Sequence, residues 1–137
     1  MTDIAMLAPE PLPDPDSQGF WDATRDGHLA ISRCQRCGQF QHPPLERCRH
    51  CGGEVAFERV SGRGTIYSFI VVRQALVPGN KVPYVIVQVE LHEQPDVRLT
   101  GVVVGAEPDA VAIGAAVEVH FGEPSPGGFR SPQWRLA

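Results

Sequence analysis

Four cysteines carry the clearest chemistry in this chain. Cys34-Gln35-Arg36-Cys37-Gly38 and Cys48-Arg49-His50-Cys51-Gly52 are two copies of one knuckle, with ten residues between Cys37 and Cys48. A two-residue gap lets both sulfurs of a pair reach a single ion at about 2.3 Å on a tight turn. The glycine after each second cysteine lets that turn close with positive φ, and backbone N–H groups on the turn can donate to the thiolates. Arg33, Arg36, Arg47 and Arg49 surround the knuckles and offset the charge of roughly −2 that four thiolates leave on a divalent ion. The spacing predicts one structural zinc ion on Cys34, Cys37, Cys48 and Cys51. The alternative is a rubredoxin-like iron centre, which visible colour would distinguish. A closed four-sulfur site has no open position for a substrate, so its predicted task is to fold the segment that carries it. His28, His42 and His50 lie nearby in sequence and are surplus as ligands.

No other motif suggests catalysis. The chain has no Gly-x-Ser-x-Gly, no phosphate-cradling glycine loop ending in Gly-Lys, and no His-Glu-x-x-His. Glu90, His92 and Glu93 could be read as an acid/base cluster, but they read better as a polar strand end facing solvent. His120 falls on the polar face of its own strand.

The elements that must position the cysteines are short. A length of 137 residues suits one compact domain, or one with a mini-domain attached. The 13 prolines and 14 glycines favour turns and strands over long helices. A net charge of −4 argues against a broad nucleic-acid or anionic-membrane footprint. The start lacks the flank and apolar run of a secretory signal, no stretch is long enough for a membrane helix, and paired Cys-x-x-Cys motifs suit reduced thiolates. These features predict a cytoplasmic protein.

Residues 1–16, with Pro9, Pro11, Pro13 and Pro15, read as a flexible Pro-rich tail. Residues 17–57 read as a helix and the zinc ribbon. A short helix capped by Asp16 or Ser17 and ended by Gly27 would present Phe20 and Trp21, for packing within its own domain or for anchoring on another subunit. Residues 28–57 contain little that could form a core. From Val55 the texture changes to strands: Gly64–Arg73, Tyr84–Leu91 with alternating valines, the Val97–Val103 region, and Ala116–Phe121. Gly101 suggests a bulge or tight bend. Short alternating strands with Gly-rich turns predict a five-stranded OB-type barrel over 58–131. Residues 132–137 read as a tail, adding at most a short edge strand around Gln133-Trp134-Arg135. The predicted fold class is therefore mainly β, with a short N-terminal helix, a rubredoxin-like zinc ribbon and a C-terminal OB-fold barrel.

The order of these features resembles a known family. Phe20-Trp21, Gly27-His28-Leu29, the first knuckle, Pro43-Pro44 and the second knuckle come first. Then follow Ser61-Gly62-Arg63-Gly64-Thr65-Ile66-Tyr67-Ser68, Pro83-Tyr84-Val85 and Ile113-Gly114 before Val117-Glu118-Val119. Over residues 17–131 the chain is similar to the zinc-ribbon plus OB-fold family of acyl-CoA-associated proteins (domain of unknown function 35). The resemblance implies a non-catalytic accessory subunit of a thiolase-like or lipid-transfer-protein-like enzyme, a thiolase or a retro-aldolase of steroid or lipid side-chain degradation. Acyl-CoA would be met through the complex, and the catalytic residues would belong to the partner. Arg63, Arg73, Lys81, Arg98 and Arg130 are the basic residues of the barrel half that could meet coenzyme A, and Phe20 and Trp21 are the interface candidates. Two other classes compete. One is a single-stranded nucleic-acid binder with Tyr67, Phe69 and Tyr84 as a stacking platform, disfavoured by the acidic balance. The other is an iron-bearing electron carrier.

Overall fold

The structure is a computed structural model that describes residues 9–137. Residues 1–8, the first half of the segment read as a tail, lie outside the described residues. The chain enters through a small polar knot. The Asp14 carboxylate accepts from the Ser17 backbone N–H at 2.8 Å and from the Ser17 hydroxyl at 2.7 Å, and that hydroxyl accepts from the Asp14 N–H at 3.1 Å. These bonds keep Asp14 below the usual carboxylate range, the Ser17 hydroxyl contributing most. Helix α1 (Gln18–Arg25) follows, with Ser17 at the N-cap position but its side chain turned back to Asp14. The helix ends where Gly27 donates to the Thr24 carbonyl and His28 to that of Ala23, the paired bonds that close a helix through a left-handed glycine.

Strands β1 (Ala30–Cys34), β2 (Phe40–Gln41) and β3 (Val55–Arg59) form a three-stranded antiparallel sheet in the order β2-β1-β3. Strands β4 (Arg63–Val72), β5 (Tyr84–Leu91), β6 (Arg98–Val102), β7 (Ala116–Phe121) and β8 (Pro132–Leu136) form a second sheet in the order β6-β5-β4-β7-β8, with one turn of 3₁₀ helix at Pro108–Ala110 before β7. The two edges of this sheet meet at a parallel bridge between Val103 and Trp134, where the Val104 N–H donates to the Trp134 carbonyl at 2.9 Å. This is the strand order of a five-stranded OB-type barrel, with its third and fifth strands meeting at that one bridge.

Three sequence expectations are corrected. Residues 132–137 are not a tail: β8 pairs with β7 from Val117↔Leu136 to Phe121↔Pro132, and Trp134 is fully buried. A large indole at the seam gains too much from burial to stay at a loose end. Gly101 marks no bulge, since β5 and β6 pair without a break from Ile86↔Val102 to Glu90↔Arg98. Instead its missing side chain makes room for the Trp134 ring, and the register shift falls at Tyr67 in β4. Finally, residues 28–57 do contribute to a core. Leu29, Ile31 and Phe40 are buried in one apolar cluster with Phe20, the inward valines of β5, Leu99, Val117 and Trp134, and Phe57 packs against it. The ribbon is thus seated on the barrel by a shared core.

Candidate metal centre and the adjoining groove

The two knuckles share the same backbone turn. Gly38 N–H donates to the Cys34 carbonyl and Gly52 N–H to that of Cys48, at 3.1 and 2.9 Å, with φ of 78° and 74°. Cys34 N–H donates to the Gln39 carbonyl and Cys48 N–H to that of Gly53. The arginine before each first cysteine then reaches over its own turn: Arg33 donates from Nε to the Gly38 carbonyl at 2.9 Å, and Arg47 from Nη1 to that of Gly52 at 3.2 Å. Arg33 also pairs with Glu58 at 2.8 Å and lies over the Phe40 ring. These arginines therefore lock the turns as well as adding positive charge, and Arg49 pairs outward with Asp96 at 3.5 Å.

The four Sγ atoms lie within 4.8 Å of one another, with Cys34–Cys51 at 3.5 Å and Cys37–Cys48 at 3.6 Å. A tetrahedral ion at about 2.3 Å from each sulfur would set neighbouring sulfurs about 3.8 Å apart, so the cluster fits a four-thiolate metal site. Backbone N–H groups of Arg36 and Cys37 donate to Cys34 Sγ, and that of His50 to Cys48 Sγ, each at 3.3 Å. The N–H of Cys37, helped by that of Arg36, outweighs burial and holds the Cys34 thiol down at about 6. The N–H of Cys51, with that of His50, likewise lowers Cys48. For Cys37 the N–H of Gln39 pulls downward, but burial and the three neighbouring sulfurs prevail and push it up to about 11. Four thiols this close cannot all ionise alone, and a bound cation removes that conflict.

The centre is tied to the barrel by two side-chain amides. Buried Gln41 donates to the Arg47 carbonyl at 3.0 Å and accepts from the Arg49 N–H at 2.9 Å, joining β2 to the second knuckle. Gln94, in the turn between β5 and β6, accepts from the Phe40 N–H and donates to the Phe40 carbonyl, both at 2.9 Å. It satisfies β2 as a neighbouring strand would. Sequence reasoning missed both glutamines, because an isolated amide carries no periodic signal. The arginine locks did have one, since Arg-Cys-x-x-Cys-Gly occurs in both knuckles.

A groove of about 610 Å³ lies where α1, the 42–44 turn and the outer face of β5–β6 meet, lined among others by Trp21, His42, Gln88, Arg98 and Thr100. His42 packs on Phe20 with ring centroids 5.4 Å apart, and burial lowers its pKa, so the imidazole is neutral. Phe20 is committed to the chain's own core, while half-buried Trp21 packs edge-on against Phe20 and Phe129 and keeps one side on the groove.

The five basic candidates do not converge. The Arg98 guanidinium lies 3.8 Å from the Tyr67 ring centroid and 3.5 Å from Glu90. Arg130 donates from Nε to the Gly122 carbonyl at 2.9 Å. Arg63 is exposed at the start of β4, and Arg73 and Lys81 are exposed beyond its far end, roughly 30 Å of strand away. The Glu90, His92 and Glu93 trio is also dispersed, Glu90 going to Arg98 and Glu93 accepting from the Ser61 N–H at 2.8 Å. Nor do Tyr67, Phe69 and Tyr84 make a stacking platform, because Arg98 covers Tyr67 and Phe69 packs against the core. No helix among the described residues is long and apolar enough to cross a membrane.

Comparison with known proteins follows the same division. Residues 21–58 match the profile of the rubredoxin-like zinc ribbon domain of ChsH2, and residues 57–122 that of its C-terminal OB-fold domain. A DUF35 domain-containing scaffold protein of Methanocaldococcus jannaschii is 39% identical over 105 residues, 74% of this chain and 73% of the relative. The 3-oxo-4,17-pregnadiene-20-carboxyl-CoA hydratase alpha subunit of Mycobacterium tuberculosis is 38% identical over 122 residues, 88% of this chain. The chain spans little more than a third of such hydratase alpha subunits, 36% and 37% of the two it matches. The benzoylsuccinyl-CoA thiolase subunit BbsA of Thauera aromatica is 39% identical over 97 residues, 62% of each chain. Among solved structures, a chain of an Ltp2–ChsH2(DUF35) aldolase superposes with a TM-score of 0.84 at 33% identity, covering 93% of this chain and 98% of that one.

Proposed function

The chain belongs to the DUF35 family of zinc-ribbon and OB-fold proteins, and from that premise we propose that it is a non-catalytic accessory subunit which binds and stabilises a thiolase-like enzyme acting on acyl-CoA thioesters. The observation that carries this reading is the agreement, over 93% of this chain and 98% of the other, with a chain from an aldolase of two named components. Relatives named as a scaffold protein, a hydratase alpha subunit and a thiolase subunit support it from three directions. The dispersal of Glu90, His92 and Glu93 supports leaving the chemistry to the partner. The coenzyme A thioester is then met at the joint surface of the complex, with a thiolase or retro-aldolase of lipid or steroid side-chain breakdown as the enzyme.

The ion is zinc in this proposal, held by Cys34, Cys37, Cys48 and Cys51. When bound there it would supply a cross-link that keeps both knuckles together beside β1, with no part in turnover. Reduced, unbridged cysteines suit the cytoplasm.

The test is capture from the native host. The tagged chain should bring down a thiolase-fold subunit in fixed stoichiometry, show no turnover alone, and raise the activity or half-life of that subunit when added back. Purified protein should be colourless and hold one zinc per chain. Recovery of the chain alone at native abundance would overturn the partner reading, and charge-transfer colour would replace zinc by iron.

A further inference from the structure

We propose that the β4–β5 hairpin is the docking prong for the partner enzyme subunit, and that it fits an apolar hollow rimmed by carboxylates on that subunit. The inference rests on the partner-subunit reading above and assigns it a surface.

The hairpin projects from the barrel. β7 pairs with β4 only at Arg63–Thr65, so Ser68–Val72 of β4 have β5 as their one strand partner among the described residues, while on the other edge β6 pairs from Ile86 onward and the Val103 N–H still reaches the Val85 carbonyl at 3.0 Å. Its outer face is apolar where strand alternation usually places polar residues. Ile70 is opposite Ile86, and Ile86 opposite Val102, in one row across three strands. Ile70 is 60% exposed, and the connecting segment adds Leu76 at 77%, Val77 at 41% and Val82 at 38%. Aliphatic side chains clustered on a projecting element mark an interaction site.

The tip is preformed. Val77-Pro78-Gly79-Asn80 closes a β-turn with the Asn80 N–H on the Val77 carbonyl at 3.2 Å and Gly79 at φ 91°, the glycine conformation that a Pro-Gly turn requires. A turn already closed in the free chain leaves less entropy to lose on docking.

Charge selects the occupant. From Arg59 to Val89 there is no aspartate or glutamate, while Arg59, Arg63, Arg73 and Lys81 are present, in a chain whose net charge is −4. Arg73 and Lys81 are exposed on either side of the tip. A carboxylate-rimmed hollow complements that pattern and would speed encounter. A second copy of this chain meets it poorly, because a twofold contact between hairpins would set the same cations against each other. A bilayer also suits it poorly, since the connecting segment carries no tryptophan, tyrosine or phenylalanine for the interface and only two flanking cations.

The experiment compares wild type with Leu76→Asp/Val77→Asp and with Arg73→Glu/Lys81→Glu, titrated against the thiolase-fold subunit captured above. All four positions are exposed, so melting temperature and zinc content should stay at wild-type values. The aspartate pair should weaken affinity by about tenfold or more through faster dissociation. The charge reversal should slow association several-fold at low salt, with the difference fading at high salt. Wild-type affinity in both variants would overturn the prong while leaving the partner reading intact. Failure of the wild type to bind any thiolase-fold subunit would remove the partner reading itself. Hairpin-dependent sedimentation with phosphatidylglycerol vesicles, or a wild-type dimer dispersed by the aspartate pair in light scattering, would overturn the assignment in favour of a lipid surface or a second copy.

Discussion

In the ribbon no strand exceeds five residues and β3 faces solvent along most of its length, whereas in the barrel β5 buries alternate residues throughout and β4 runs for ten. The ribbon's order comes from directional bonds: thiolates on one point, two arginine-locked turns, and the amides of Gln41 and Gln94. The barrel's order comes from non-directional burial closed by Trp134. The two regions nevertheless share Leu29, Ile31, Phe40 and Phe57 as common ground. The contrast teaches that each region has its own point of failure, and that the shared core decides how far a failure spreads.

Removing the ion is the largest test of that contrast. A structural zinc site contributes about 10–16 kcal/mol of apparent binding free energy in small domains. Chelation should therefore release amide protection throughout β1, β2 and both knuckles while β4, β5 and β7 stay protected, as read by hydrogen exchange. Simultaneous loss in both sheets would show that they unfold as one unit. Next in size, Trp134→Ala should destabilise the barrel by about 3–5 kcal/mol in denaturant unfolding, with one zinc per chain still bound. A smaller change would mean that the Val103–Trp134 seam is not what closes the sheet.

Gln94→Ala tests the link between the regions. It leaves the Phe40 N–H and carbonyl without their partner at about 1–3 kcal/mol, and exchange at the Phe40 amide should rise more than at any barrel amide. The smallest effect concerns pH. Burial holds His42 below its ordinary value of 6.5, so the unfolded chain takes up a proton there that the folded chain resists. Stability is then fully present above pH 6.5 and falls as pH drops through that value. His42→Phe should flatten the part of the melting-temperature slope between pH 7 and 5.5 that is not due to proton competition for the thiolates. An unchanged slope in the variant would assign the whole effect to the metal site.

Much of this was legible beforehand because it rests on local chemistry. The cysteine spacing specified the cluster, Gly27 the helix end, and the period-two valines the faces of β5 and β7. The Ser61-Gly62-Arg63-Gly64 run also has a physical reason: a Cβ at Gly64 would collide with the Glu90 backbone where β4 crosses between β5 and β7. What escaped was whatever depends on residues distant in sequence. Leu29 and Ile31 looked too sparse for a core because their partners lie in the barrel. Trp134 looked like part of a tail because its slot is opened by Gly101, more than thirty residues earlier. Gln94 looked like turn filler because its acceptor and donor belong to Phe40. Proximity across such separations leaves no trace in periodicity or composition.

The parallel seam of β8 with Val103 also sets an order of assembly during translation. Both knuckles and all three ribbon strands leave the ribosome before the strand that shuts the barrel has been made. The cysteines can therefore capture their ion on a growing chain, with the valine-lined interior still open. Chain growth by itself thus lets metallation precede barrel closure.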